Sequence, residues 1–188
     1  MNWGALGLIL VFLNALAETP VSEIAVGDQL PSLRGEFLTG RTAVLPQAAS
    51  GRVALLMLGF TYDSRFSVEA WEKRFRQDFG SEPRVTFFEI PMIGGLATLG
   101  KWFIDSGMRR ETPKADQENL ITVYGGTDSW KQRVGFHDPR IAYLLLIDQN
   151  GKVVWRYAGN IDEEPYRALS SQLVRLLARE MNGRPTDP

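Results

Sequence analysis

The sequence predicts a single α/β domain, a three-layer sandwich with a mixed central sheet that finishes in a β-hairpin and a helix. Two observations lead to this prediction. Apolar runs of strand length alternate with amphipathic stretches of helical period along most of the chain. A turn sequence then joins two more strand-like runs, and a last amphipathic stretch follows. Strands separated by helices pair in parallel, whereas a tight turn makes its two strands antiparallel, so the sheet is expected to be mixed.

Four apolar runs mark the first strands of this sheet. Residues 53–60 are apolar without a break, which is typical of a central strand buried on both faces. Residues 85–90 predict a second strand, which we expect Pro91 to end, and residues 120–124 predict a short third one. Residues 141–147 are again continuously apolar, so they predict a fourth strand of the same buried kind.

The last strand belongs to a hairpin. Residues 148–151 have the sequence DQNG, a turn signal between two apolar runs. Residues 153–157 therefore predict a strand that returns antiparallel to the one before it. Glycine and proline punctuate residues 26–41, for which we expect a loop with short extended pieces.

An amphipathic helix is predicted directly after residues 53–60. Apolar residues recur there at intervals of three and four, so they share one helical face that packs on the sheet. We expect Ser67 to be the N-cap and Gly80 to end the helix. The apolar stripe consists of Val68, Trp71, Phe75 and Phe79.

Three further helices complete the prediction. Residues 96–104 are expected to be helical, and residues 128–134 to form a short helix capped by Thr127 or Asp128. A C-terminal helix is expected to begin after Asp162, which caps it. The buried stripe of that helix consists of Tyr166, Leu169, Leu173 and Leu176.

Composition limits the chemistry available to the chain. None of its 188 residues is cysteine, so thiol–disulfide chemistry is excluded. The 21 basic and 22 acidic residues leave a net charge of −1, which gives no electrostatic reason to expect a nucleic-acid partner. His137 is the only histidine, so nitrogen and sulfur ligands are too few for a metal site. We expect neither a metal nor another cofactor.

The first 17 residues predict a secretory signal peptide. They carry no charged side chain and end in the small-x-small pattern Ala15-Leu16-Ala17. No Lys or Arg precedes the apolar run, so an uncut membrane anchor is the alternative. We therefore expect an exported, periplasmic or otherwise extracytoplasmic protein. Its predicted parts are a signal peptide (1–17), a linker (18–25), the folded domain (26–182) and a flexible tail (183–188).

Three stretches resemble thioredoxin-like redox proteins. Residues 26–40 are similar to the start of peroxiredoxin- and TlpA-like redoxins, and residues 59–64 (GFTYDS) lie where those proteins carry a reactive cysteine. Residues 140–156 (RIAYLLLIDQNGKVVWR) resemble the redoxin β-hairpin, and most of all that of the mitochondrial ATPase complex assembly subunit ten family. The likeness covers most of residues 26–178 and implies a thioredoxin-like fold.

The departures from that pattern remove the redox site. Thr61, Tyr62, Asp63 and Ser64 stand at the corner where redoxins have one or two cysteines. Redoxins also place a cis-proline just before the hairpin strand, and here that position is Ala142. We expect a trans peptide bond there, because a cis bond without proline costs ~3 kcal/mol.

A copper site is not expected either. Copper-carrying Sco-type redoxins use two corner cysteines and a histidine before the same hairpin. The resemblance puts Asp63 and Ser67 in the cysteine positions, with His137 before the hairpin. Copper(I) prefers thiolate ligands, so this exchange removes the site.

A redox framework without sulfur favours a role in recognition. The assembly-subunit family also lacks the redox pair, and the resemblance implies a chaperone-like role toward a membrane-embedded ATPase subunit. We predict no enzymatic activity, and binding to a membrane or envelope protein, with an apolar loop of Met92, Ile93, Leu96 and Trp102 beside the corner. The predicted binding residues are Thr61, Tyr62, Asp63, Ser64, Met92, Ile93, Arg140 and Ala142.

Three alternatives stay open at this point. Asp63, Ser64 or Ser67 can simply cap the helix that follows. An enzyme of unrecognised type would need Asp63 within hydrogen-bond reach of Arg140 or His137. A purely structural domain that has lost its site is the third alternative. All of them depend on residues 53–60 and 141–147 being neighbouring strands.

Overall fold

The computed structural model describes residues 21–183, so the predicted signal peptide and most of the predicted tail lie outside the described residues. The strands are β1 (Leu33–Phe37), β2 (Thr42–Leu45), β3 (Val53–Gly59), β4 (Val85–Ile93), β5 (Ile121–Tyr124), β6 (Ala142–Ile147) and β7 (Val153–Gly159). The α-helices are α1 (Arg65–Phe79), α2 (Lys101–Glu111), α3 (Thr127–Val134) and α4 (Glu163–Gly183). Short 3-10 helices span Gln47–Ala49, Gly95–Gly100 and Lys114–Asp116.

The strands form one seven-stranded mixed sheet in the order β2-β1-β5-β4-β3-β6-β7. Strand β3 is parallel to β4 and antiparallel to β6, with Ala54 opposite Ile147 and Leu58 opposite Tyr143. The predicted neighbours are therefore confirmed as adjacent strands. The predicted hairpin is confirmed as well, because β7 pairs antiparallel with β6.

Alternating side chains of the central strands fill two cores, one on each face of the sheet. Ala54, Leu56 and Leu58 face the core that also contains Trp130 and Val134 of α3. Val53, Leu55 and Met57 face the opposite core, beneath α1 and α4. The predicted three-layer sandwich is confirmed by this arrangement. That second core contains Val68, Trp71, Phe75, Tyr166, Leu169 and Leu173.

Strand β4 continues past Pro91, where the sequence predicted its end. Pro91 is the register partner of Gly59, the last residue of β3. The missing N–H of proline therefore falls where the ladder with β3 is already ending. Beyond it, Met92 and Ile93 pair with β5, which extends the strand by three residues.

Two predicted helix starts are also wrong. Helix α1 begins at Arg65 with Ser64 in the N-cap position, whereas Ser67 lies inside the helix and is buried. Helix α3 is preceded by Gly126 in the left-handed conformation (φ 64°), and no side chain caps it. The predicted helix over residues 96–104 is a 3-10 segment followed by α2, which runs on to Glu111.

The start of the chain's described part is packed more firmly than predicted. Residues 26–41 contain the β1–β2 hairpin rather than mostly loop. Within the predicted linker, Ile24 is buried and donates its N–H to the Arg133 carbonyl at 2.8 Å. The peptide bond before Ala142 is trans, as predicted; within residues 21–183 only Leu45–Pro46 is cis. None of the helices in this part of the chain has the length and apolar character needed to cross a bilayer.

Candidate functional site

The corner between β3 and α1 is closed by two hydroxyl side chains. The Thr61 N–H donates to the Ser64 Oγ at 3.2 Å, and the Ser64 N–H donates to the Thr61 Oγ1 at 3.2 Å. The Ser64 hydroxyl in turn donates to the Thr61 carbonyl at 2.7 Å. These reciprocal bonds satisfy polar groups ahead of the helix, much as a capping box does.

Both hydroxyls are already engaged inside the protein, although only Ser64 is buried and Thr61 is exposed. The Ser64 side chain is completely buried, and a Cβ added to Gly59 would lie only 2.7 Å from its Oγ. The Thr61 hydroxyl donates to the Pro139 carbonyl, which ties the corner to the segment before β6. Thr61 and Ser64 therefore hold the shape of the corner with hydrogen bonds already made inside the protein.

Residues 135–140, the segment before β6, are fixed by Tyr143. The Tyr143 hydroxyl accepts the N–H groups of His137 (2.9 Å) and Asp138 (3.0 Å). The Asp138 carboxylate accepts from the Arg140 guanidinium at 3.2 Å and from the Arg140 N–H at 2.9 Å, and this pairing lowers the pKa of Asp138. Arg140 is exposed beside the corner, although its charge is partly neutralised by Asp138.

The outward face of the corner carries an exposed aromatic and cationic stack. Tyr62 is 71% exposed and Phe66 is 58% exposed. The Arg65 guanidinium carbon lies 4.1 Å from the Tyr62 ring centroid and 4.7 Å from the Phe66 ring centroid. The buried Arg65 Nε has no hydrogen-bond partner in the described part of the chain. We refer to these three residues as the Tyr62–Arg65–Phe66 stack.

Sequence reasoning missed Arg65 and Phe66. Helix α1 was expected to start later, which would have left both residues in the loop before it. One signal was available, because Phe66 is out of phase with the apolar stripe that begins at Val68. A large ring off the buried face of an amphipathic helix must be exposed or find another partner.

The structure narrows the predicted binding surface. Ser64, Met92 and Ala142 are buried, so their side chains offer nothing to a partner. Met92 lies in the core with Phe88 and Ile90 because it shares their face of β4. The predicted residues that remain at least partly exposed are Thr61, Tyr62, Asp63, Ile93 and Arg140. The Leu96 side chain lies outside what is described.

Ser67, at the position of the second Sco-type cysteine, is a structural residue here. Its hydroxyl accepts the Ala142 N–H at 3.1 Å and donates to the Gly159 carbonyl at 3.4 Å. The Trp71 Nε1 donates to the same carbonyl at 3.0 Å. A buried hydroxyl thus links α1 to β6 and β7.

The pairing required for the enzyme alternative is not formed. Among the described residues, no hydrogen bond or ion pair joins Asp63 to Arg140 or His137. Asp138 raises the pKa of Arg140, and Asp63 adds a smaller electrostatic effect in the same direction. Over residues 21–183, no group of three or more acidic or histidine side chains is arranged to hold a metal ion.

No family model matches the chain, and no curated protein matches it. Solved structures do. A protein assigned as the thiol:disulfide interchange protein DsbE of Chlorobium tepidum shares 17% identity, with a TM-score of 0.57 over 82% of this chain and 99% of that one. BsSco, described as a member of the Sco family of cytochrome c oxidase assembly proteins, shares 14% identity, with a TM-score of 0.56 over 83% and 97%. Thiol peroxidase from Chromobacterium violaceum shares 17%, with a TM-score of 0.52 over 82% and 88%.

These similarities establish the fold. The chain has the same thioredoxin-like architecture as these proteins, yet it has no cysteine. Its β3–α1 corner carries the hydroxyl pair of Thr61 and Ser64 and the exposed Tyr62–Arg65–Phe66 stack.

Proposed function

We propose that this chain is a non-catalytic, exported thioredoxin-like binding module that helps to assemble a membrane or envelope protein complex. Its binding surface is the outer face of the β3–α1 corner, made of the Tyr62–Arg65–Phe66 stack with Asp63 and Arg140. The observation that carries the proposal is that the residues of this corner have two different roles. The hydroxyls of Thr61 and Ser64 maintain its shape through bonds made inside the protein, and the exposed side chains of Tyr62 and Phe66 remain open to a partner.

The absence of catalysis is part of this proposal. Nucleophilic catalysis by a hydroxyl needs an adjacent base. Thr61 and Ser64 instead bond to each other and to backbone carbonyls, and Ser67 bonds to backbone groups of β6 and β7. Thiol chemistry is excluded by composition.

The stack has the properties of an interaction hot spot. Arginine and aromatic residues dominate binding energy at protein interfaces, and a guanidinium held against rings loses little freedom on binding. Arg65 presents such a guanidinium between two exposed rings. A partner segment that offers a carboxylate and an apolar side chain would match this surface.

The type of partner is inferred from two resemblances. The hairpin resembles that of the mitochondrial ATPase assembly subunit family, and one structural neighbour is described as a member of a family of cytochrome c oxidase assembly proteins. Both concern the assembly of membrane-bound energy-converting complexes. An ATP synthase-like complex is therefore the partner to test first.

The experiment is complementation in the native host. Deletion of the gene is expected to lower the amount of one assembled membrane complex on native gels, ATP synthase being assayed first. The wild-type chain restores it, whereas Tyr62→Ala/Arg65→Ala/Phe66→Ala does not, at equal protein level. Val174→Ala, an exposed apolar position on α4, is the matched control and restores assembly.

Two outcomes would contradict the proposal. Full rescue by the triple variant would show that the stack is not the binding surface. Normal levels of every membrane complex in the deletion strain would show that the chain is not an assembly factor.

A further inference from the structure

Helix α2 and the 3-10 turn before it expose three large apolar side chains. Leu99 is 86% exposed, Trp102 76% and Phe103 78%. The Trp102 and Phe103 ring centroids are 6.4 Å apart. Adjacent exposed rings of this kind are uncommon on a surface that faces only water.

The exposure does not come from a poorly anchored helix. On the inner side of α2, the buried Asp105 carboxylate accepts from Lys101 Nζ at 2.7 Å and from the Tyr124 hydroxyl at 2.7 Å. Lys101 also donates to Glu36 on β1 at 2.9 Å. These bonds fix which face of α2 points inward, and Trp102 and Phe103 are therefore held outward.

The outer face also carries an uncompensated positive charge. Arg110 lies seven residues after Phe103 and eight after Trp102, so helical geometry puts it on their face, about 12 Å from Trp102 along the axis. Within residues 21–183, Arg110 is exposed and makes no ion pair or side-chain hydrogen bond. Lys101 and Arg109, by contrast, are both engaged with Asp105.

We propose that this face of α2 docks on an anionic lipid surface. Trp102, Phe103 and Leu99 enter the boundary between headgroups and acyl chains, and Arg110 binds a lipid phosphate. Interfacial helices combine apolar rings with basic residues in this way, and Trp is favoured at that depth. The docking is independent of the corner, so either function can fail while the other stands.

The size of the patch favours a lipid surface over a second protein. The two rings, of about 150–250 Å² each, present on the order of 300 Å² at these exposures, and Leu99 adds less than either ring. A stable protein interface needs roughly 800 Å² from each partner. Membrane binding requires only a small inserted apolar area when electrostatic attraction adds to it.

Vesicle binding by the full chain tests the proposal. Wild-type protein is expected to bind phosphatidylcholine vesicles containing phosphatidylglycerol at least tenfold more tightly than pure phosphatidylcholine vesicles. Trp102→Ser/Phe103→Ser should weaken binding at least tenfold, and Arg110→Gln should remove most of the preference for the anionic lipid. Val174→Ser, at an exposed apolar position on α4, is the control and binds like wild type. All variants carry the same N-terminal segment, so their differences report on α2.

A second measurement distinguishes lipid contact by α2 from tight binding of the same protein through residues 1–20. Lipids brominated near the headgroup should quench part of the tryptophan fluorescence of the wild type, and Trp102→Phe should lose that part while still binding. Unchanged quenching in Trp102→Phe would overturn the proposal. So would shielding of Trp102 from aqueous acrylamide without lipid, because residues 1–20 or a second copy would then cover the patch. Concentration-dependent self-association that Trp102→Ser/Phe103→Ser abolishes would identify the second copy.

Discussion

Helices α1 and α2 both carry tryptophan, and the two helices use it in opposite ways. Trp71 on α1 is fully buried; its ring centroid lies 5.6 Å from that of Tyr157 and 6.1 Å from that of Tyr166. Trp102 on α2 is 76% exposed and contacts the neighbouring ring of Phe103. One helix is attached to the sheet through apolar surface, and the other through the buried carboxylate of Asp105.

The comparison of the two tryptophans separates side chains that stabilise the fold from side chains that are free to bind a ligand. Aromatic surface that packs against the sheet contributes to the free energy of unfolding, roughly in proportion to the area removed from water. Aromatic surface left in water contributes almost nothing to it and remains free for a ligand. The same logic divides α1 itself, because Phe66 lies outside the stripe that contains Trp71.

The largest expected effect compares the two tryptophans directly. Trp71→Ala should lower the free energy of unfolding by about 3–5 kcal/mol, because it creates a cavity and removes the hydrogen bond to the Gly159 carbonyl. Trp102→Ala should change it by less than about 0.5 kcal/mol. Urea unfolding followed by far-ultraviolet circular dichroism measures both. Similar losses in the two variants would mean that α2 packs through its rings after all.

The next effect concerns a carboxyl group enclosed beneath α1. Burial raises the pKa of Glu89 on β4 to about 7 from an ordinary 4.5, with repulsion from Glu72 and Glu69 acting in the same direction and Arg76 opposing it. Between these two values the folded state binds more protons than the unfolded state, so stability falls as pH rises.

Glu89→Gln removes the loss of stability that accompanies ionisation of this carboxyl group. At pH 8 the variant should be more stable than wild type by about 1–3 kcal/mol, and its stability should change less between pH 5 and pH 8. Urea unfolding at the two pH values is the measurement. Glu164→Gln, an exposed site on α4, is the charge-matched control. Equal pH dependence in wild type and Glu89→Gln would show that water reaches this side of α1.

A comparable effect of opposite sign is expected for the polar anchor of α1. Ser67→Ala should cost about 1–3 kcal/mol, because the buried N–H of Ala142 loses its acceptor. Ser170→Ala on α4 removes a hydroxyl that bonds only within its own helix, and it should cost less than about 0.5 kcal/mol. Equal unfolding free energies for the two variants would contradict the role of Ser67 in joining α1 to β6 and β7.

The smallest effect should come from the stack. Arg65→Ala should change the unfolding free energy by less than about 0.5 kcal/mol, because both rings that it contacts are exposed and its buried Nε has no hydrogen bond to lose. A loss above about 1 kcal/mol would mean that Arg65 belongs to the structural half of α1. The same urea titration measures it.

The parts of the fold that were predictable are those encoded by local pattern. Residues 53–60 and 141–147 are continuously apolar because their strands are covered on both faces, and the DQNG turn marks the hairpin. The prediction that Pro91 ends β4 was wrong, because the missing N–H of proline falls at the last pair of the ladder with β3. Where β3 ends is a property of the assembled sheet and cannot be read from residues 85–93 alone. Trp102 was predicted in an apolar loop beside the corner, and the pattern does not show that it stands on the outer face of a helix whose inner side is taken by Asp105.

The corner was predicted through a resemblance together with Tyr62 and Asp63, whereas Arg65 and Phe66 were missed. Ser64 looks like a surface cap in the sequence, and the structure buries it through reciprocal bonds with Thr61. Asp63 looks like the reactive group, yet no ion pair joins it to a neighbour in the described part of the chain. Arg65 belongs to the stack because α1 begins at residue 65, earlier than the sequence predicted. That early start depends on the same closed corner.

The tight approach of Gly59 to Ser64 has an evolutionary consequence. A Cβ at position 59 would lie only 2.7 Å from the Ser64 Oγ, so any other residue there would push that hydroxyl out of its bonds with Thr61. A sulfur at position 61 would weaken the bond to the Pro139 carbonyl, because a thiol is a poor donor. Changes at Gly59 or Thr61 would thus alter the shape of the corner, so these two positions limit which sequences the surface above them can adopt.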